Sequence, residues 1–174
     1  RLNSGIKGIT FKNCTIASDN VGCIGLVGVS NGTIIDCNFE NITIVPRTDN
    51  TDEQGIIGHS NGGTFENITL TNVTVGNKKS SIDYVGALAG RVQDGSTFTN
   101  IQGTNLKVTG TGSYVGGIAG CIENADVKDI ILIDIYVDGS SSYTGGMAGM
   151  LGTSNNANGR VMQNIELIGT PTYD

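Results

Sequence analysis

The sequence predicts an all-β chain wound as a parallel β-solenoid (β-helix) of about five to six coils with a period near 30 residues, on three observations. A glycine phrase recurs as Gly25-Leu26-Val27-Gly28, Gly55-Ile56-Ile57-Gly58, Ala87-Leu88-Ala89-Gly90, Gly117-Ile118-Ala119-Gly120 and Gly146-Met147-Ala148-Gly149. Its closing glycines, at 28, 58, 90, 120 and 149, are 30, 32, 30 and 29 residues apart. A second phrase follows each glycine phrase in step, its apolar residues alternating with Thr, Lys, Asn and Glu. No segment carries a sustained apolar stripe of helical period, and the Ile, Val, Phe and Thr content is that of strands.

Along the chain, the second phrase begins with Ile6 to Ile16 and Ile34 to Ile44, then Phe65 to Val75. It continues as Phe98-Thr99-Asn100-Ile101 with Asn105-Leu106-Lys107-Val108, Val127-Lys128-Asp129-Ile130 with Asp134-Ile135-Tyr136-Val137, and Met162 to Leu167. Each unit is read as three short strands: the glycine phrase, an apolar-x-Asn-Ile-x-Leu stretch and an Asn-apolar-x-apolar stretch. Short corners then leave only stacked coils about 4.8 Å apart, a prism roughly 26 Å tall. Ile68, Leu70, Val73, Val75, Ile101, Leu106, Ile130, Ile135 and Ile165 are expected to point inward in vertical columns. The column holding Asp36, Asn67, Asn100, Asp129 and Asn164 reads as an Asn/Asp hydrogen-bond ladder at a bend, satisfying corner backbone groups. The corners 46–53, 76–83, 109–113 and 138–142 vary in length and carry most of the polar residues, and a last turn swells over 152–159. The 27 glycines and two prolines fit tight corners where positive φ is required.

The 174 residues are read as one domain, 1–174. The chain lacks an initiator Met, and its first strand phrase has no glycine phrase before it. This gives the expectation of a piece of a longer or processed product. With 10 Lys+Arg against 16 Asp+Glu, and no basic run interleaved with aromatics, nucleic acid is not an expected partner. No apolar run reaches the length of a membrane span.

The candidate chemistry is sparse. Cys14, Cys23, Cys37 and Cys121 form no C-x-x-C pair and have no His nearby in sequence, which argues against structural zinc. Cys14 and Cys37 stand where other units have Ile or Val, so both read as buried hydrophobes, and a bridge between them is disfavoured by their different columns. The single His59 follows an anchor glycine and reads as a solvated corner residue. Asp49, Asp52 and Glu53 are the residues to suspect of binding Ca²⁺, but they lack the ordered spacing of a calcium loop and read as a solvated acidic loop. Tyr84, Tyr114 and Tyr143 each stand just before a glycine phrase and are expected to stack as an aromatic ladder. That ladder serves either corner packing or a flat platform for sugar rings. Asn-x-Thr sequons occur at Asn13, Asn31, Asn41, Asn67 and Asn72, with Asn31, Asn41 and Asn72 the candidate glycan acceptors of a glycoprotein. No nucleophile elbow, phosphate loop, paired catalytic carboxylates or metallopeptidase motif is present, so no enzyme activity, cofactor or metal is expected.

The Gly-Leu-x-Gly anchor, running into Asn31-Gly32-Thr33-Ile34-Ile35-Asp36-Cys37, resembles the GLUG-motif repeats over roughly residues 24 to 169. Ala87 and Gln54 depart from the pattern. Such repeats occur in surface adhesins and beside zinc metallopeptidase regions, so the resemblance implies an extracellular or cell-surface, non-catalytic module that spaces or displays its loops. Flanking repeats or identical subunits stacked end to end are the expected partners, with glycans or host surface molecules as candidate ligands. The alternatives are a filament subunit joined through exposed solenoid edges and, behind it, a glycan-active β-helix enzyme.

Overall fold

The computed structural model describes residues 1–18, 22–47, 50–78, 81–140, 143–152 and 161–169. They form a parallel β-solenoid with a period near 30 residues and no helix among them. Three parallel sheets run the length of the stack. The long sheet carries Thr33–Pro46, Thr64–Gly76, Thr97–Gly110 and Asp126–Gly139 at its centre, closed by Gly5–Lys7 and Thr10–Ser18 on one side and Met162–Ile168 on the other. A second sheet stacks Cys23–Ile24, Asn50–Gln54, Ser81–Gly86, Tyr114–Gly116 and Tyr143–Gly145. A third stacks Val27–Ser30, Ile57–Asn61, Ala89–Gln93, Ala119–Ile122 and Ala148–Leu151.

Each coil therefore has three strands, but they are cut differently from the expectation. The two apolar phrases are one continuous strand of the long sheet, and the stretches 46–53 and 76–83, expected as corners, already contain second-sheet strands. The reason is visible in the backbone. Asp36, Asn67, Asn100, Asp129 and Asn164 form one column of left-handed residues, and Asn13, Asn41, Asn72, Asn105 and Asp134 a second, all with φ between 51 and 56°. Asn and Asp tolerate this conformation better than other residues with a Cβ. Each one bends the strand without ending its pairing, so burial in Thr97–Gly110 resets after Asn100 and Asn105, and Phe98, Ile101, Gly103, Leu106 and Val108 all face inward.

These bends lock the layers together. Asn100 Nδ2 donates to Asn67 Oδ1 at 2.8 Å, and Asn67 Nδ2 to Asp36 Oδ1 at 2.7 Å. In the second column the bonds run Asn105 to Asn72 at 3.1 Å, Asn72 to Asn41 at 2.9 Å and Asn41 to Asn13 at 2.9 Å. The expected ladder exists, but its amides bond to one another along the stack on an exposed face. The bond from Asn67, helped by Lys7 at 3.5 Å, holds the Asp36 carboxyl below its ordinary range.

The core is the space enclosed by the three sheets. Ile68, Leu70, Val73, Val75, Ile101, Leu106 and Ile130 are at most 1 % exposed, while Ile135 and Ile165, nearer the end of the stack, are partly buried against them. Register places Cys37, Ile68, Ile101, Ile130 and Ile165 in one column and Cys14, Ile42, Val73, Leu106 and Ile135 in another. All four cysteines are free.

The glycine phrase has its own explanation. The closing glycines do not have positive φ. A Cβ on Gly28 would meet only Cys23 O, at 3.4 Å. From Gly58 onward they are glycines because the third sheet lies directly against the backbone of the second: a Cβ on Gly120 would stand 2.5 Å from Val85 N, and one on Gly149 2.6 Å from Val115 N. Such distances lie far inside van der Waals contact, so a Cβ there would force the two sheets apart.

Candidate functional site

The closeness enforced by those glycines brings two side-chain columns face to face. In the second sheet, register aligns Cys23, Glu53, Tyr84, Tyr114 and Tyr143. In the third it aligns Val29, His59, Arg91, Cys121 and Met150. The expected tyrosine ladder is thus the upper part of a longer column whose lower part is ionisable.

The rings of Tyr84 and Tyr114 stack at 5.0 Å and those of Tyr114 and Tyr143 at 5.1 Å, each pair within 9° of parallel. Their facing surfaces are therefore taken up by one another. Tyr143, at 52 % exposure, is the most open of the three. Arg91 caps the other end: its guanidinium lies 4.9 Å over the Tyr84 ring and donates to Glu123 Oε2 at 3.0 Å. Burial pushes the Tyr84 hydroxyl up from its ordinary value despite the pull of Arg91.

Below the tyrosines, three strands deliver Cys23, Glu53 and His59 to one point. The Cys23 thiol donates to Glu53 Oε2 at 2.6 Å, and His59 Nδ1 donates to Glu53 Oε1 at 2.9 Å. The ligand atoms of all three lie within 4.8 Å of one another. Glu53 is only 6 % exposed. Burial alone would raise its carboxyl, but the hydrogen bonds from His59 and Cys23 outweigh it and hold the group below the usual range. Burial, with the adjoining carboxylates of Glu53 and Asp52, pushes the Cys23 thiol up to about 12. Burial likewise raises Cys121 to about 12.

This corrects three expectations. His59 is not a solvated corner residue: it sits within the strand Ile57–Asn61, and its side chain is 19 % exposed and bonded to Glu53. Asp52 and Glu53 do not form an acidic loop: they are neighbours on a strand, Asp52 exposed and Glu53 buried, and Asp49 lies outside the described residues. The cysteines are not remote from histidine, since Cys23 and His59 flank one carboxylate. The missed signal was the period itself. Cys23 and Glu53 are one repeat apart, so stacking makes them neighbours although no short motif contains both.

The candidate glycan acceptors are exposed, but not equivalent. Asn41 and Asn72 already commit Nδ2 to the ladder, whereas Asn31 sits on a turn after Val27–Ser30. A further concave patch, lined in part by Lys78, Lys107, Tyr136 and Asp138, holds an exposed Tyr136 with Lys107 5.8 Å over its ring and a Lys78–Asp138 pair at 2.6 Å. The described residues include no helix long and apolar enough to cross a membrane. Compared with known proteins, the chain matches no family model, no curated protein and no solved structure.

Proposed function

We propose that this β-solenoid is a non-catalytic module of an exported or cell-surface protein, built from coils of the GLUG type, that spaces and displays its corners for adhesion. The observation that supports this most directly is the in-register parallel stack with its two asparagine ladders, which gives a stiff support with side chains repeated at fixed intervals. The polar cluster also favours a non-catalytic reading. An activated thiol nucleophile needs a lowered pKa, whereas burial and the neighbouring carboxylates push the Cys23 thiol up to about 12. Exposed aromatics at Tyr143 and Tyr136 suit glycans or host surface molecules as ligands. A glycan array probed with the parent chain and with Tyr143→Ala and Tyr136→Ala tests this. Retention weakened by either variant supports adhesion, and no retention of the parent on any glycan or host-cell surface refutes it.

A second reading, the filament subunit, is favoured by the far layer, where Met162, Leu167 and Ile168 are 39–50 % exposed on an outer strand. Flanking repeats or identical subunits would cover that edge by strand addition. Light scattering over a concentration series, with Thr10→Pro on the opposite outer strand, distinguishes the two. A concentration-dependent polymer lost in the proline variant supports the filament, and a monomer at all concentrations supports the spacer within a longer chain.

A further inference from the structure

We propose that Cys23, Glu53 and His59 form a binding site for a zinc-class divalent transition-metal ion, with Cys23 Sγ, a Glu53 carboxylate oxygen and His59 Nδ1 as ligands and a fourth position left to solvent. This goes beyond the display function and is independent of it.

The donors come from three strands on two sheets, so the backbone ladder rather than a mobile loop fixes their spacing. Cys23 is the register partner of Glu53, and His59 that of Val29, one layer below. Gly58, next to His59, packs so tightly that a Cβ on it would stand 2.7 Å from Cys23 Cβ, which pins the thiol against the histidine strand. Rigid elements of this kind hold ligands better than loops do.

The donor set selects the ion. One sulfur, one imidazole nitrogen and one carboxylate oxygen suit zinc and its neighbours, whereas calcium and magnesium take oxygen alone. Tetrahedral coordination at zinc bond lengths puts such donors about 3.3–3.8 Å apart. The present hydrogen bonds, 2.6 Å from Cys23 Sγ to one Glu53 oxygen and 2.9 Å from His59 Nδ1 to the other, fall short of that range, and one ligand atom from each of the three residues lies within 4.8 Å of the rest. Side-chain movements of about 1 Å replace two hydrogen bonds by one ion. The thiol then loses its proton to solvent, and His59 moves its own to Nε2, leaving Nδ1 free to bind. A thiolate and a carboxylate together balance the dication. Arg91, one layer on from His59, is engaged by Glu123 and the Tyr84 ring. Three protein ligands with one open position is the arrangement of an accessible site rather than a closed structural one, and the partial exposure of Cys23 and His59 provides the way in.

Cobalt titration of the reduced, metal-stripped full chain tests the proposal. The expected result is one Co²⁺ per chain, with a thiolate-to-cobalt charge-transfer band and the intense visible bands of four-coordination, both removed by added Zn²⁺. Cys23→Ser should abolish the charge-transfer band, His59→Ala and Glu53→Gln should each weaken zinc at least about tenfold against a chromophoric chelator, and Cys121→Ser should change neither. Because Cys23→Ser could fail to fold, X-ray absorption of the zinc-loaded parent gives a separate reading, with one sulfur and two or three nitrogen or oxygen ligands expected. No cobalt band, zinc without a sulfur ligand, or a folded Cys23→Ser chain that binds like the parent would overturn the site.

Discussion

Gln54 is a place where this core carries a polar side chain among apolar register partners. Its register partners are Ile24 below and Val85 above, it is fully buried, and neither its side-chain oxygen nor its nitrogen has a hydrogen-bond partner. A buried amide without partners costs about 1–3 kcal/mol on the scale of protein substitutions. Gln54→Leu removes both orphaned atoms with little change of shape, so it should stabilise the chain by about 1–3 kcal/mol. For a chain of this size that corresponds to a rise of about 2–12 °C in melting temperature. Urea unfolding followed by two probes checks it, because a repeat stack can unfold in steps and the two midpoints must move together. Val85→Gln places the same amide one layer up and should lower the midpoint by a comparable amount. A Gln54→Leu midpoint equal to or below that of the parent would show that the amide is satisfied in solution, and the reasoning would fail.

The glycine phrase predicts a contrast between two alanines. Gly120→Ala drives a Cβ into Val85 N and Gly90 O and should cost at least about 1–3 kcal/mol, whereas a Cβ on Gly146 finds nothing closer than 3.7 Å and Gly146→Ala should melt like the parent. Equal melting of the two would remove close approach as the reason for the phrase. Asn100→Ala loses both the ladder bond to Asn67 and the ease of a φ of 53°, so calorimetry should show a loss of about 1–2 kcal/mol. Asn100→Gly, which keeps the backbone freedom, should lose less, and the reverse order would refute the conformational part of the argument. Ile101→Asp buries an unpaired charge at a position with no exposure and should abolish the folded circular dichroism spectrum; a native spectrum would place Ile101 outside the core.

The sequence by itself determined the class of fold, because a period near 30 residues and strand-type alternation admit few other ways to bury apolar faces. It also determined the inward columns around Ile68 and Ile101 and the stacking of Tyr84, Tyr114 and Tyr143, since identical positions in stacked coils must coincide. Where the strands end was decided by tertiary structure. The asparagines that looked like corner residues are left-handed bends inside one long strand, a conformation that composition alone does not reveal. The glycine phrase that looked like a strand of its own turns between two sheets, and its closing glycines from Gly58 onward are the contact between them, visible only once both are in place. The Cys23–Glu53–His59 cluster lay furthest beyond linear reading. Its members come from two sheets, and neither sheet's register brings all three together; only the approach of one sheet to the other, at the width of a glycine, places imidazole, carboxylate and thiol around one point.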